Sequence, residues 1–197
     1  SGRFSAGLNA YYMDYTDQLV LTGELNDVGA ALRTNVAESY RAGLELMWAW
    51  QPLQRLSWRA NAAVSTNKVR NFREYVDDWD IGGQRIIDHG TTDLAFSPAV
   101  VAGSELRFRI WSVPDKGDAD ITFITKYVGR QFMDNTGSSD RMIDAFLVND
   151  LRLNVDLPTL KSTRGIQFNF TVRNLFNELY ESNGWVYSYF TGDRRQE

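Results

Sequence analysis

Seven segments of this chain alternate, residue by residue, between an apolar row and a polar row, over lengths that few soluble sheets use. Tyr40 to Trp50 shows the pattern. Tyr40, Ala42, Leu44, Leu46, Trp48 and Trp50 fall on one face, and Ser39, Arg41, Gly43 and Glu45 on the other. Successive side chains of a strand point to opposite faces, so Arg41 and Glu45 are held opposite the apolar row. A soluble sheet would bury that row and show the charges to water. A membrane barrel would turn the row to lipid and line a wet interior with the charges. The local pattern fits both, so strand length, strand number and connections must decide.

The segments run from Arg3 to Tyr15, extending toward Leu21, then Asn35 to Trp50, Arg55 to Phe72, Pro98 to Trp111, Asp120 to Met133, Asp144 to Leu157 and Gly165 to Tyr180. Each is about 11 to 18 residues long, against roughly 5–6 for soluble strands. A tilted membrane strand needs roughly 9–11 residues inside the hydrocarbon alone. The helical period persists nowhere beyond about two turns. The fold expected is all-β, an antiparallel up-and-down transmembrane barrel.

Composition narrows the function classes. Net charge is −4, which argues against nucleic acid as a partner. There is no cysteine, hence no disulfide frame and no thiolate metal site. No apolar stretch is long enough for a membrane-spanning helix, which leaves strands as the only spanning element. There is no signal peptide, and the chain enters a strand pattern almost at once. It reads as a piece of a larger protein.

The connections alternate in length. Gln51 to Gln54, Ser112 to Ala119 and Pro158 to Arg164 are short. Thr22 to Thr34, Arg73 to Ser97 and Asp134 to Ile143 are longer and read as loops. Outer-membrane barrels place short turns on the periplasmic side and long loops outside. Trp48, Trp50, Trp58 and Trp111, four of the 6 tryptophans, sit beside the short turns. That is the distribution of an interfacial aromatic belt.

Four stretches are similar to a known family. They are Ala10 to Gly23, reading AYYMDYTDQLVLTG; Asn35-Val36 with Ser39-Tyr40-Arg41-Ala42-Gly43-Leu44-Glu45; Lys126 to Thr136, reading KYVGRQFMDNT; and Val172-Arg173-Asn174-Leu175-Phe176-Asn177 with Tyr180. Together they resemble the C-terminal part of the barrel of TonB-dependent outer-membrane receptors, especially the Bacteroidetes-type receptors for siderophores and iron complexes. The resemblance implies a barrel of about 22 strands in a Gram-negative outer membrane, contacting its lipid. It also implies an N-terminal plug through which the TonB complex acts, and import of a small iron chelate. Residues 1–197 would then be strands fifteen to twenty-one. The plug would lie outside the chain, and the closing strand, usually ending on an aromatic residue, is not seen after Phe190.

On that arrangement Arg41, Glu45, Arg59, Glu105, Arg107, Arg109, Lys126, Arg130, Asp150, Arg152 and Arg173 line the lumen. Any wet lumen needs such charge, so a structural role competes with one in guiding an anionic chelate. Tyr75, Trp79, Arg85, His89 and Trp185, in the loops, are the candidate ligand-binding residues, with Tyr187 and Tyr189 nearby. Loop packing would explain the same aromatics. Asp77-Asp78-Trp79-Asp80 offers oxygen ligands but lacks a calcium-loop spacing, and His89, the single histidine, has no metal-ligand partner at helical spacing. No metal site or cofactor is expected. No nucleophile–base order or phosphate loop is present, so no enzyme is expected. A glycan or polymer importer on the same barrel, a passive porin, and a soluble β-sandwich binding module are the rivals.

Overall fold

The structure is a computed structural model that describes residues 3–25, 28–158 and 165–196. Among them are twelve strands: β1 (Phe4–Leu25), β2 (Ala31–Leu53), β3 (Leu56–Asp78), β4 (Gly83–Asp93), β5 (Val100–Val113), β6 (Gly117–Val128), β7 (Gln131–Phe132), β8 (Met142–Ile143), β9 (Phe146–Leu157), β10 (Ile166–Val172), β11 (Tyr189–Thr191) and β12 (Arg194–Gln196). The main sheet runs β1-β2-β3-β5-β6-β9-β10, with every neighbouring pair antiparallel. Consecutive strands of such a meander exchange direction. The turns after β2 and β5 therefore fall at one end, and the connections after β1, β3 and β6 at the other, as their lengths led us to expect. The third short connection, at 159–164, lies outside the described residues.

The register fixes which side each residue faces. Trp50 pairs with Trp58, Trp58 with Leu106, Leu106 with Phe123, Phe123 with Leu151, and Leu151 with Val172. One apolar row thus crosses six strands, and Phe108, Ile121, Leu153 and Phe170 form the next. One residue along, Ser57, Arg107, Thr122, Arg152 and Thr171 form a polar row on the opposite face. Leu44, Leu46 and Phe168 keep the apolar face, while Ile110 sits in a bulge between Arg109 and Trp111. Outward residues such as Phe108, Phe168 and Phe170 stay exposed. This inverts the soluble rule that an apolar row is buried.

Two sequence motifs have a local explanation. Tyr11 pairs with Gly43, and a Cβ added at Gly43 would stand 2.7 Å from the Tyr11 hydroxyl and 2.8 Å from the Val64 carbonyl oxygen. The tyrosine ring occupies the space that the glycine leaves. In Asn174-Leu175-Phe176-Asn177 both asparagines take a left-handed backbone, φ 49° and 54°, which asparagine tolerates better than most residues. The Asn174 side chain accepts from the Glu178 amide and donates to the Glu178 carbonyl, both at 2.9 Å.

Several element boundaries differ from expectation. The seventh strand ends at Val172, not Tyr180, because the Asn174 turn diverts the chain. The fifth ends at Val128 rather than Met133. Thr22 to Thr34 is mostly strand, since β1 and β2 continue to Leu25 and from Ala31. Arg73 to Ser97 is not an irregular loop either: β3 and β4 extend the sheet as a hairpin, Tyr75 opposite Ile86 and Asp77 opposite Gln84. Its turn carries Gly82, which takes φ 62°. Its strands were masked by the acidic run at Asp77 to Asp80 and by the bulge at Asn71, φ 51°, which breaks the alternation. Asp17, at nearly the same level, also takes a left-handed backbone, φ 52°, within an uninterrupted β1. Above this level lies the buried apolar cluster of Val20, Val36, Val69, Phe72 and Leu94.

Candidate functional site

The polar face forms the first part of the site. Arg41 stands opposite Asn67, Arg59 opposite Glu105, Arg109 opposite Asp120, and Arg152 opposite Thr122. Glu45, Lys126 and Asp150 hold the same face by register. Arg130 and Arg173 lie just beyond β6 and β10. The charges are cross-linked rather than bare. Arg107 donates to Asp120, which also accepts from Asn154 at 3.0 Å. Asn9 donates to Glu45 at 3.1 Å. Near the short turns these groups surround a cavity of about 350 Å³ lined by Arg59, Arg107, Arg152 and polar neighbours.

The opposite face carries Trp48, Trp50, Trp58 and Trp111 beside the short turns. Trp58 meets Trp48 edge-on, centroids 5.2 Å apart, and Trp50 at 6.5 Å. Its indole donates to the Ser104 hydroxyl at 2.8 Å. The Trp111 indole closes the β5–β6 turn by donating to the Gly117 carbonyl at 2.9 Å. An amphipathic ring with its polar edge satisfied suits a membrane–water boundary.

The far end, beyond the apolar band, is built around Glu74. It lies on β3 with Arg73 and Tyr75 pointing to the other side of the hairpin. Arg195 donates to both Glu74 oxygens, Arg141 donates at 3.2 Å, and His89 Nε2 lies 2.7 Å away. Arg141 is shared with Asp134 at 2.7 Å, and Asp134 also accepts from the Thr136 amide and hydroxyl. Burial alone would raise the Glu74 pKa. The hydrogen bonds from Arg195 and His89 outweigh it, and the charges of Arg195 and Arg141 add to them, so the pKa lies below the ordinary glutamate value. Next to this cluster is a cavity of about 530 Å³, lined by Thr34, Asn35, Glu74, Asp134, Arg141 and Ser188 among others.

The five candidate ligand residues divide into two kinds. Tyr75, Trp79 and Trp185 are exposed. Trp79 stacks on Tyr189 at 4.1 Å and 11°, with Tyr187 beside it at 5.8 Å from Tyr189. Arg85 and His89 are engaged within the protein. Arg85 pairs with the buried Asp78, donates to the Gly192 carbonyl at 2.8 Å and lies over the Phe190 ring at 4.5 Å. His89 faces Glu74. The acidic run is engaged as well: Asp77 accepts from Gln84, Asp78 from Arg85, and Asp80 from the Gly192 amide. Sequence reasoning did not find Glu74, Asp134, Asn135, Arg141 or Arg195. The only signal for them was Asp134-Asn135-Thr136, part of the third family stretch.

The comparisons with known proteins agree with this geometry. The family described as "TonB dependent receptor-like, beta-barrel" matches residues 1–175. No curated protein matches the sequence. Among solved structures, the ferric yersiniabactin uptake receptor FyuA from Yersinia pestis superposes with a TM-score of 0.62 at 17% identity, over 99% of this chain and 25% of that one. BauA, the ferric preacinetobactin receptor from Acinetobacter baumannii, gives 0.65 at 11% identity, over 94% and 25%. Fiu, the ferric-catecholate import receptor from E. coli K12, gives 0.57 at 15% identity, over 90% and 22%. The chain spans about a quarter of the length of the first two of these structures, and at such identities the likeness is one of fold. With the family matched across nearly all of the sheet, the chain belongs to the TonB-dependent receptor β-barrels of the Gram-negative outer membrane.

Proposed function

We propose that this chain is the C-terminal part of the barrel of a receptor for TonB-dependent uptake of a ferric siderophore or similar iron complex. The plug on which the TonB complex acts would lie outside residues 1–197. The observation that carries the reading is the pairing of a charged, cross-linked inner face with an outer end that holds both exposed aromatics and a cavity with polar lining. An oxygen-rich, often anionic iron chelate suits both: cationic and amide groups solvate it along the wall, and Trp79, Tyr75 and Trp185 offer ring faces. The printed functions of the neighbouring structures, all ferric-chelate receptors, favour the same class. The Bacteroidetes type rests on the four sequence stretches alone.

In this proposal Tyr75, Trp79 and Trp185 touch the ligand, while Arg85 and His89 hold the hairpin that presents them. The test is uptake of radioactive iron by cells expressing the whole receptor, offered catecholate, hydroxamate and citrate chelates one at a time, with a starch-type oligosaccharide as the comparison substrate. Trp79→Ala with Tyr75→Ala should weaken capture of one chelate class at normal surface display. Uptake of the oligosaccharide and of no chelate would replace the iron reading with a glycan importer.

A further inference from the structure

Two segments cross the inner face at its outer end, and both close on the same carboxylate. The first, 129–145, leaves β6 and reaches back across the sheet to β1, where the Asn135 amide donates to the Leu21 carbonyl at 2.6 Å. On the way its Oδ1 accepts from the Ala95 amide at 2.8 Å. The second, 173–196, leaves β10 and ends on β3, where Tyr189 and Phe190 pair with Asp77 and Asp78 in parallel. Its Phe176 still lies against Phe123 of the outer row, at 6.3 Å; that it runs over the inner side from Tyr180 on is shown by Phe146. This residue shares the inner face with Asp150 and Arg152, is buried, and stacks on Tyr180 at 4.4 Å. The segments also touch each other: a Cβ at Gly184 would collide with the Met133 sulfur, so the backbone at Gly184 packs directly on the first strap.

We infer that these two straps open and close as one cover over the outer mouth, and that Glu74 is their shared latch. Arg141 belongs to the first strap and Arg195 to the second, and both donate to Glu74 on the β3–β4 hairpin. Arg141 is only 4% exposed in its side chain and Asp134 5%. The Glu74 side chain is 12% exposed, and lifting one strap alone would take one of its two arginines from a carboxylate that stays desolvated, the costly way to break such a pair. Lifting both lets the charges rehydrate together. Both straps line the cavity beside Glu74, through Asp134, Thr136 and Arg141 of the first and Val186 and Ser188 of the second, so opening the latch widens access to that cavity. The inference does not depend on what the receptor carries.

Hydrogen exchange followed by mass spectrometry on the intact receptor in detergent tests this. Glu74→Gln keeps the shape and removes the charge. It should speed exchange in peptides covering 132–141 and 188–196 together, by more than about tenfold, as expected for loss of a charge-assisted hydrogen bond from a locally opening unit. Arg195→Met, made in the second strap, should speed exchange in 132–141 as well as in its own segment, and it carries the test if Glu74→Gln does not fold. Arg73→Met removes the exposed pair with Asp88 on the other side of the same hairpin and should change neither. Separate responses, with Arg195→Met loosening only 188–196, would overturn the shared latch. So would an unchanged pattern in Glu74→Gln.

Discussion

Leu46 and Met47 give the sharpest test of the facing. They are adjacent, both apolar, and similarly exposed at 41% and 56%; composition and hydropathy cannot separate them. The register does. Leu46 pairs with Leu8 and Ala62, in the middle of the outward apolar band, whereas Met47 pairs with Gly7 and Asn61 on the inner face. An arginine at the bilayer midplane on the lipid side of a barrel costs about 2–4 kcal/mol. An arginine on the wet side meets water and counter-charges such as Glu45 and Glu105, and substitutions at such surface sites change stability by about 0.5 kcal/mol or less. Leu46→Arg should therefore lower the folding equilibrium by more than tenfold relative to Met47→Arg, since about 1.4 kcal/mol is a factor of ten. The assay is urea unfolding of the intact receptor in phosphatidylcholine vesicles, followed by tryptophan fluorescence and by the gel mobility of folded barrel. Equal losses from the two variants, or a larger one from Met47→Arg, would refute the assignment of faces.

Three further outcomes follow from local geometry. Gly43→Ala should destabilise the barrel by about 1–3 kcal/mol, the usual cost of overpacking, because the new methyl meets Tyr11 and the Val64 carbonyl; Tyr11→Ala should relieve part of the loss in the double variant. Asn174→Ala removes two hydrogen bonds at ~0.5–1.5 kcal/mol each and should speed exchange at 174–180 while leaving β9 protected. The last concerns acid. The folded pKa of Glu74 lies below its unfolded value, so its contribution is fully present above the ordinary glutamate range and fades as pH falls through the folded value. Exchange of 132–141 and 188–196 should accelerate across that acid window in the native receptor, and the acceleration should vanish in Glu74→Gln.

What the sequence determined by itself is the side each residue faces in most of the strands. A strand's period is two, so Arg107 and Phe108 are opposed by local geometry whatever the partners are, and strand length is what led us to expect the apolar row outside and the charges inside. The turn-proximal tryptophans were legible for the same reason, because position along a strand is set by counting from its turn. The period alone carried the seventh strand on to Tyr180; the left-handed backbone at Asn174 and Asn177, and hence the end of β10 at Val172, emerged only with the Glu178 hydrogen bonds. The tertiary structure alone decided the outer end. Glu74 meets Arg141 across 67 residues and Arg195 across 121, and no local period or spacing encodes such a meeting. The β3–β4 hairpin was hidden in the same way: the bulge at Asn71 shifts the alternation, and Asp78 reads as a solvated loop residue until Arg85 neutralises it in a buried setting. Local rules fix the direction of a side chain; only the closed path of the chain decides which charge it finds there.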